Sequence, residues 1–232
     1  MSGFRKTPPC MQPLLQAPAP VPTFVRLLAE VLDAQAHQPP RAFYQALEQW
    51  LDWTRAVRLS RVLDTAPAAG LGAASWHKQE LIAACARARQ RLREQVIAAP
   101  AWDAAMDTTM DTQAQASEAA FAPVRQHYVA FQRALQASTG QLRGQLRDAL
   151  AQGDAGCVRL AELDAVMEAV LSPREHALFT ALPELLGKRF EQRHAQNAAQ
   201  DWRGFQREVR NLQLAELDAR FLPIDGLQAA LQ

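Results

Sequence analysis

The chain has 232 residues, about half of them apolar (49%), with 25 basic against 24 acidic side chains. That length and apolar content suffice for a self-supporting core, so neither disulfides nor metals are needed for folding. The near-zero net charge excludes a whole-molecule field toward DNA or an anionic membrane, and any such binding must be local.

Residues 1–22, "MSGFRKTPPCMQPLLQAPAPVP", carry Arg5 and Lys6, but prolines interrupt every apolar run before it reaches signal-peptide length. They read as a disordered, polyproline-like tail. Cys10, Cys85 and Cys157 are odd in number and far apart, which suits reduced thiols in a cytoplasm and offers no zinc spacing. No run of eighteen apolar residues exists to span a membrane.

From residue 23 the chain is rich in alanine, leucine, glutamine and arginine, with β-branched residues sparse and never alternating. The pattern predicts an all-α fold, a bundle of about eight to nine helices with no sheet. The N-terminal helical part, 23–100, begins with the stripe Phe24, Leu27, Leu28 and Val31, closed by "HQPP". A second helix carries Phe43, Leu47, Trp50 and Leu51, and Thr54 is placed to cap a third bearing Val57, Leu59, Val62 and Leu63. A long helix follows Ser75, with Leu81, Cys85, Ala88, Leu92 and Val96 inward and a stop at Pro100.

Residues 101–118 change character, with four acids, no base and the echo "MDTTMDT", and are expected to be an acidic linker. Beyond it, the C-terminal bundle, 119–232, opens with Phe121, Val124, Tyr128, Phe131 and Leu135, ended by Gly140. Leu142, Leu146 and Leu150 make the next stripe before "QGDAG", followed by Leu160, Leu163, Met167, Val170 and Leu171. "SPRE", Ser172 to Glu175, has the form of a helix start, with a serine cap, proline at the first position and glutamate at the third. Pro183 then predicts a kink or restart. The last long helix begins near Trp202 with Phe205, Val209 and Leu212, and turns a rotated face of Leu214, Leu217 and Phe221 to a second neighbour. "LPIDG" is expected to turn the chain.

Two arginine sets are the candidate functional residues. Arg87, Arg89, Arg91 and Arg93 alternate along "ACARARQRLREQ". At about 100° per residue Arg87 and Arg91 fall on one edge of the apolar stripe and Arg89 and Arg93 on the other. That spread suits solvated flanks whose stems cover an apolar seam, with contact to nucleic acid or to an acidic protein, or to the acidic linker itself, as the alternatives. Arg55, Arg58 and Arg61 lie near Trp50 and Trp53, a mixture that could stack and neutralise a single strand, although Trp50 keeps step with core positions.

Other features are expected to be structural. Asp103, Asp107 and Asp111 form a carboxylate line without a fourth close ligand, and Met106 and Met110 beside them need no cofactor. His176 and His194 share a side of one expected helix but stand about 27 Å apart along its axis, too far to share a metal. His37, His77 and His127 have no companions at ligand spacing. "GLGAAS" lacks the strand and the Gly-Lys-Ser/Thr ending of a phosphate loop, and "GQLRG" sits in a helix too polar for a bilayer. No cofactor and no catalytic constellation is expected, and hence no enzyme.

Four stretches, "FYQALEQWLDWTRAVRLSRVLD", "FAPVRQHYVAFQRALQASTGQLRGQLRDAL", "LDAVMEAVLSPREHALFTALPELLGKRFEQ" and "LQLAELDARFLPIDGLQAALQ", together resemble an uncharacterised proteobacterial family of short cytosolic helical proteins. The similarity spans most of the chain from about Phe24. It resembles the accessory component of the type III Zorya anti-phage defence system, which stands beside a proton-driven motor of the flagellar-stator type. The resemblance implies a cytosolic accessory or adaptor protein working with a membrane motor and a second accessory subunit. It brings no catalytic residues, and the alternative is a nucleic-acid-binding component using the two arginine sets.

Overall fold

The two longest apolar patterns become the two longest rods, and everything else is laid against them. The computed structural model describes residues 23–31, 50–64, 75–98, 117–195 and 202–232. Among these the helices are α1 (Thr23–Val31), α2 (Trp53–Asp64), α3 (Ser75–Ile97), α4 (Ser117–Leu150), α5 (Ala155–Thr180), α6 (Leu182–Ala195) and α7 (Trp202–Leu231), and no strand occurs. At 1.5 Å per residue, the 34 residues of α4 and the 30 of α7 span about 51 and 45 Å.

α7 is the axis: it packs against α1, α3, α4 and α5, and twelve of its residues are buried. Its change of face near Ala215 divides the interior in two. Phe205, Val209 and Leu212 join Phe24 of α1, Phe121 and Tyr128 of α4, Phe179 of α5 and Leu186 and Phe190 of α6 in one cluster. Leu217, Phe221, Ile224, Leu227 and Leu231 join Cys85, Leu92 and Val96 of α3 and Phe131, Leu142, Leu146 and Leu150 of α4 in the other. Full burial of such side chains stabilises by about 1.5–3 kcal/mol each, which is what holds helices that are individually weak. Both clusters therefore draw on helices from either side of the expected 101–118 division. Of that acidic segment, residues 101–116 lie outside the described residues, as do the tail 1–22 and Phe43 and Leu47, while Ser117 and Glu118 already belong to α4.

The all-α expectation holds, but the described residues form fewer helices than eight to nine. The expected helix around Phe43 and Leu47 lies outside the described residues, and elsewhere glycine and proline mark expected helix ends where tertiary burial carries the helix through. Gly140 lies inside α4, because Leu135 before it and Leu142, Leu146 and Leu150 after it enter the same cluster, and that outweighs the roughly 1 kcal/mol a mid-helix glycine costs. Pro173 lies inside α5, so "SPRE" starts nothing, and the break comes at Ala181 instead. That places Pro183 in the first turn of α6, close to the predicted restart. Pro223 likewise lies inside α7, so "LPIDG" does not turn the chain: Phe221, Ile224 and Leu227 keep the helix against α3 and α4.

Two caps also differ in detail. The Asp52 carboxylate, not Thr54, accepts the Arg55 backbone N–H at 2.8 Å and starts α2. In "QGDAG", where the predicted break is found, Asp154 caps α5 by accepting the Cys157 N–H at 2.8 Å. His176 and His194 belong to different helices, α5 and α6, not to one. No described helix is long and apolar enough to cross a membrane.

Candidate functional site

The arginines of α3 separate as their helical angles require. Arg89 and Arg93 turn toward α7: Arg89 holds Asp225 at 2.7 Å and stacks on Phe221 at 4.5 Å, and Arg93 lies 3.9 Å from Asp218. Arg87 and Arg91, on the other edge, are exposed. Arg87 stands at a groove of about 670 Å³ between α3 and the end of α4, floored by Leu81, Ala84 and Ala149. On α2, Arg55 pairs with Asp52 at 3.3 Å, whereas Arg58 and Arg61 are exposed. The two sets do not merge into one basic surface, since α2 packs principally on α5 and α3 on α4 and α7.

α2 is unusual in having no buried residue. Arg55, Ala56, Val57, Leu59 and Val62 are half-buried, while Trp53 is 82% exposed and Arg58 and Arg61 are exposed as well. Trp50, just ahead of the helix, is half-buried under the Arg174 guanidinium of α5 at 5.0 Å. Trp50, expected in the core, is thus only half-buried and enters neither apolar cluster, and Trp53 is the one left facing water.

Where the two apolar clusters meet, the core turns polar. Glu216 of α7 is wholly buried and accepts from Tyr128 Oη at 3.1 Å, from Gln132 Nε2 at 3.1 Å and from Arg220 Nε at 3.0 Å. Gln132 Nε2 also donates to the Phe179 carbonyl at 2.7 Å, and the Arg220 guanidinium lies 4.1 Å over the Phe179 ring. α4, α5 and α7 are thus tied at one point. Burial pushes the Glu216 carboxyl above its ordinary range although Arg220, Gln132 and Tyr128 all pull it down, and burial followed by the Glu216 charge pushes the Tyr128 phenol well up.

A second network joins α4 to α5 beside it. Arg143 makes a two-pronged contact to Asp164, Nε at 2.8 Å and Nη2 at 2.7 Å, and Arg147 bonds Glu168. Burial works against the Arg143 charge, but the Asp164 hydrogen bonds and charge more than offset it and raise the guanidinium further. Between the two networks lies a cavity of about 230 Å³ with mainly polar walls: Gln136, Thr139, Gly140 and Arg143 from α4; Glu168, Ser172, Glu175 and His176 from α5; Arg220, Pro223 and Ile224 from α7.

A family model described as "Protein of unknown function (DUF3348)" matches residues 10–232. The chain belongs to this family. The match covers every described element of this DUF3348 protein, so both networks, the cavity and the outer face of α2 fall within the family's span. No curated protein and no solved structure shows significant similarity to it.

None of the residues around the cavity was singled out from the sequence as functional. Ser172 and Glu175 were assigned to a helix cap, His176 to a structural role, and Glu216 and Arg220 drew no notice. A signal was present: glycine and proline recur inside apolar stripes at 140, 173 and 223, and a glutamate interrupts the inward face of the last helix. Among the described residues no group of three or more His, Cys, Asp or Glu is arranged to hold a metal. Cys85 is buried and Cys157 half-buried, and neither is in a disulfide.

Proposed function

We propose that this DUF3348 protein is a non-enzymatic cytoplasmic adaptor that binds other proteins through the outer face of α2. The observation that carries the proposal is that α2 buries no residue of its own, packs principally on α5, and turns an almost fully exposed Trp53 outward beside Arg58 and Arg61. Tryptophan and arginine are the side chains most enriched among residues that dominate binding energy at protein interfaces. The two cations direct the choice of partner toward an acidic surface with an apolar slot for the indole. The resemblance of the four sequence stretches supplies a setting, an anti-phage defence system in which the partners are a proton-driven membrane motor and a second accessory subunit.

The test is co-migration on size-exclusion chromatography of the full chain with the products of the genes adjacent to its own. Trp53→Ala and the pair Arg58→Glu with Arg61→Glu leave the core untouched, because all three side chains are exposed. Each is expected to weaken the complex at least about tenfold, or 1.4 kcal/mol. Absence of any co-migrating partner, or complexes indifferent to both variants, would count decisively against the proposal.

A second reading has one observation in its favour. Exposed Trp53 with Arg58 and Arg61 also fits single-stranded nucleic acid, which binds by base stacking plus phosphate neutralisation. Three of the seven arginines, Arg55, Arg89 and Arg93, are engaged by Asp52, Asp225 and Asp218, which leaves Arg58, Arg61, Arg87 and Arg91 on separate helices. Mobility shifts that fall steeply with salt and vanish in Trp53→Ala would favour this reading over the first.

A further inference from the structure

Helix interiors ordinarily avoid glycine, about 1 kcal/mol less favourable than alanine, and proline, about 3 kcal/mol less favourable. Such residues occur at several helical positions, Pro123 and Gly144 of α4 and Gly226 of α7 among them, but three helices bring theirs to one place. Gly140 of α4, Ser172 with the adjoining Pro173 of α5, and Pro223 of α7 surround the same cavity. Pro173 supplies no N–H to the Ala169 carbonyl and Pro223 none to the Ala219 carbonyl.

Packing does not explain the glycine. A Cβ on Gly140 would meet nothing within 4 Å, as at Gly144 and Gly226, whereas one on Gly187 would stand 3.1 Å from the Phe121 ring and one on Gly153 2.8 Å from the Cys157 Cβ. Those two glycines are there to let neighbours approach. Around the cavity, helix propensity is given up at Gly140, Pro173 and Pro223 together, as local rules yield where a site is built.

The charges around the cavity leave a specific remainder. Arg143 and Arg147 are matched by Asp164 and Glu168. Arg220 is matched by Glu216 through Nε alone, so its terminal amino groups make no hydrogen bond among the described residues, and the Phe179 ring fixes the plane in which they lie. On the α5 wall Glu175 is exposed and in no ion pair among the described residues. The α7 wall thus offers the two Arg220 amino groups, the α5 wall Ser172 and the Glu175 carboxylate, which feels the Arg143 charge without pairing to it, and the α4 wall Gln136 and Thr139. A volume of about 230 Å³ lies below the roughly 300–1,000 Å³ of sites for drug-sized molecules, so the occupant is small.

We propose that the cavity between α4, α5 and α7 binds a small zwitterion of the free amino-acid class, with its carboxylate against the Arg220 amino groups and its ammonium against Glu175. Both ends are recognised, so neither half alone suffices.

The experiment is thermal shift followed by titration calorimetry on the full chain, with the free L-amino acids one at a time at millimolar concentration. Acetate, methylammonium and inorganic phosphate serve as single-charge probes. At least one amino acid is expected to raise Tm and bind saturably, while acetate and methylammonium bind at least about tenfold more weakly. Gly140→Leu, which fills the open space from an exposed helix position, and Glu175→Gln, which removes the carboxylate charge, should each reduce that affinity at least about tenfold with helix content unchanged. Binding by none of the amino acids, equal binding by acetate or phosphate alone, or affinity unchanged in Gly140→Leu would overturn the proposal.

Discussion

Glu216 concentrates the energetic consequences of the fold in one side chain. Replacing it by alanine leaves the Tyr128 hydroxyl, the Gln132 amide and the Arg220 guanidinium facing each other in the seam between the two clusters. Removing one member of a buried charge pair costs about 3–5 kcal/mol, because the remaining charge stays desolvated. Against a total stability of about 5–15 kcal/mol, Glu216→Ala should lower the denaturant midpoint severely. Glu216→Gln keeps an acceptor for Tyr128 and should lose less.

The pH dependence separates charge from shape. Burial raises the folded carboxyl above its ordinary value of 4.5, so the folded chain holds this proton more tightly than the unfolded chain does. The stability of wild type relative to Glu216→Gln should therefore grow as pH falls from neutral through the raised folded value, and level off below about 4.5. Equilibrium denaturation followed by circular dichroism across that range measures both effects. An alanine variant within about 1 kcal/mol of wild type, less than the loss of a single buried hydrogen-bond partner typically costs, would refute the reasoning. So would a wild-type advantage over glutamine that shrinks on acidification.

Two further outcomes are expected from the same assay. Gly140→Ala should stabilise by about 0.5–1 kcal/mol, since the new methyl meets nothing, whereas Gly187→Ala should give no such gain because its methyl presses on Phe121. Equal gains at both positions would mean the ring yields freely. Gln213 is wholly buried with neither amide atom hydrogen-bonded, so Gln213→Met, which keeps the volume and removes the unsatisfied amide, should stabilise by about 1–3 kcal/mol. A destabilised Gln213→Met protein would show that the amide is satisfied in solution.

The helical class was legible because apolar residues recur at steps of three and four, and many of them, from Phe24 to Phe221, form the two clusters, while Val57, Leu59, Val62 and Leu63 enter neither and Leu63 is exposed. The rotated face of the last helix was legible too, and it is the feature that lets α7 serve both clusters. The breaks at "QGDAG" and near Pro183 and the starts at Ser75 and Trp202 were legible, but the ends expected at Gly140, Ser172 and Pro223 were not there. Gly140, Pro173 and Pro223 carry local preferences of about 1–3 kcal/mol, and burial of several leucines and phenylalanines farther along the same rod exceeds them. The cavity was hidden for a related reason: Arg143, Glu175 and Arg220 are spread over nearly eighty residues of sequence and converge only when α4, α5 and α7 pack. The arginines of α3 were resolved correctly into two edges by helical angle alone, but which edge faced a partner depended on Asp218 and Asp225, more than a hundred residues away.

Hydrogen–deuterium exchange of the full chain, alone and with the partner that co-migrates, tests the adaptor assignment most directly. Peptides from α7 should exchange slowest in both states, and those covering 53–64 should exchange fast alone and gain protection in the complex. Slow exchange in α2 of the free protein, or protection that arises elsewhere and leaves 53–64 unchanged, would contradict it.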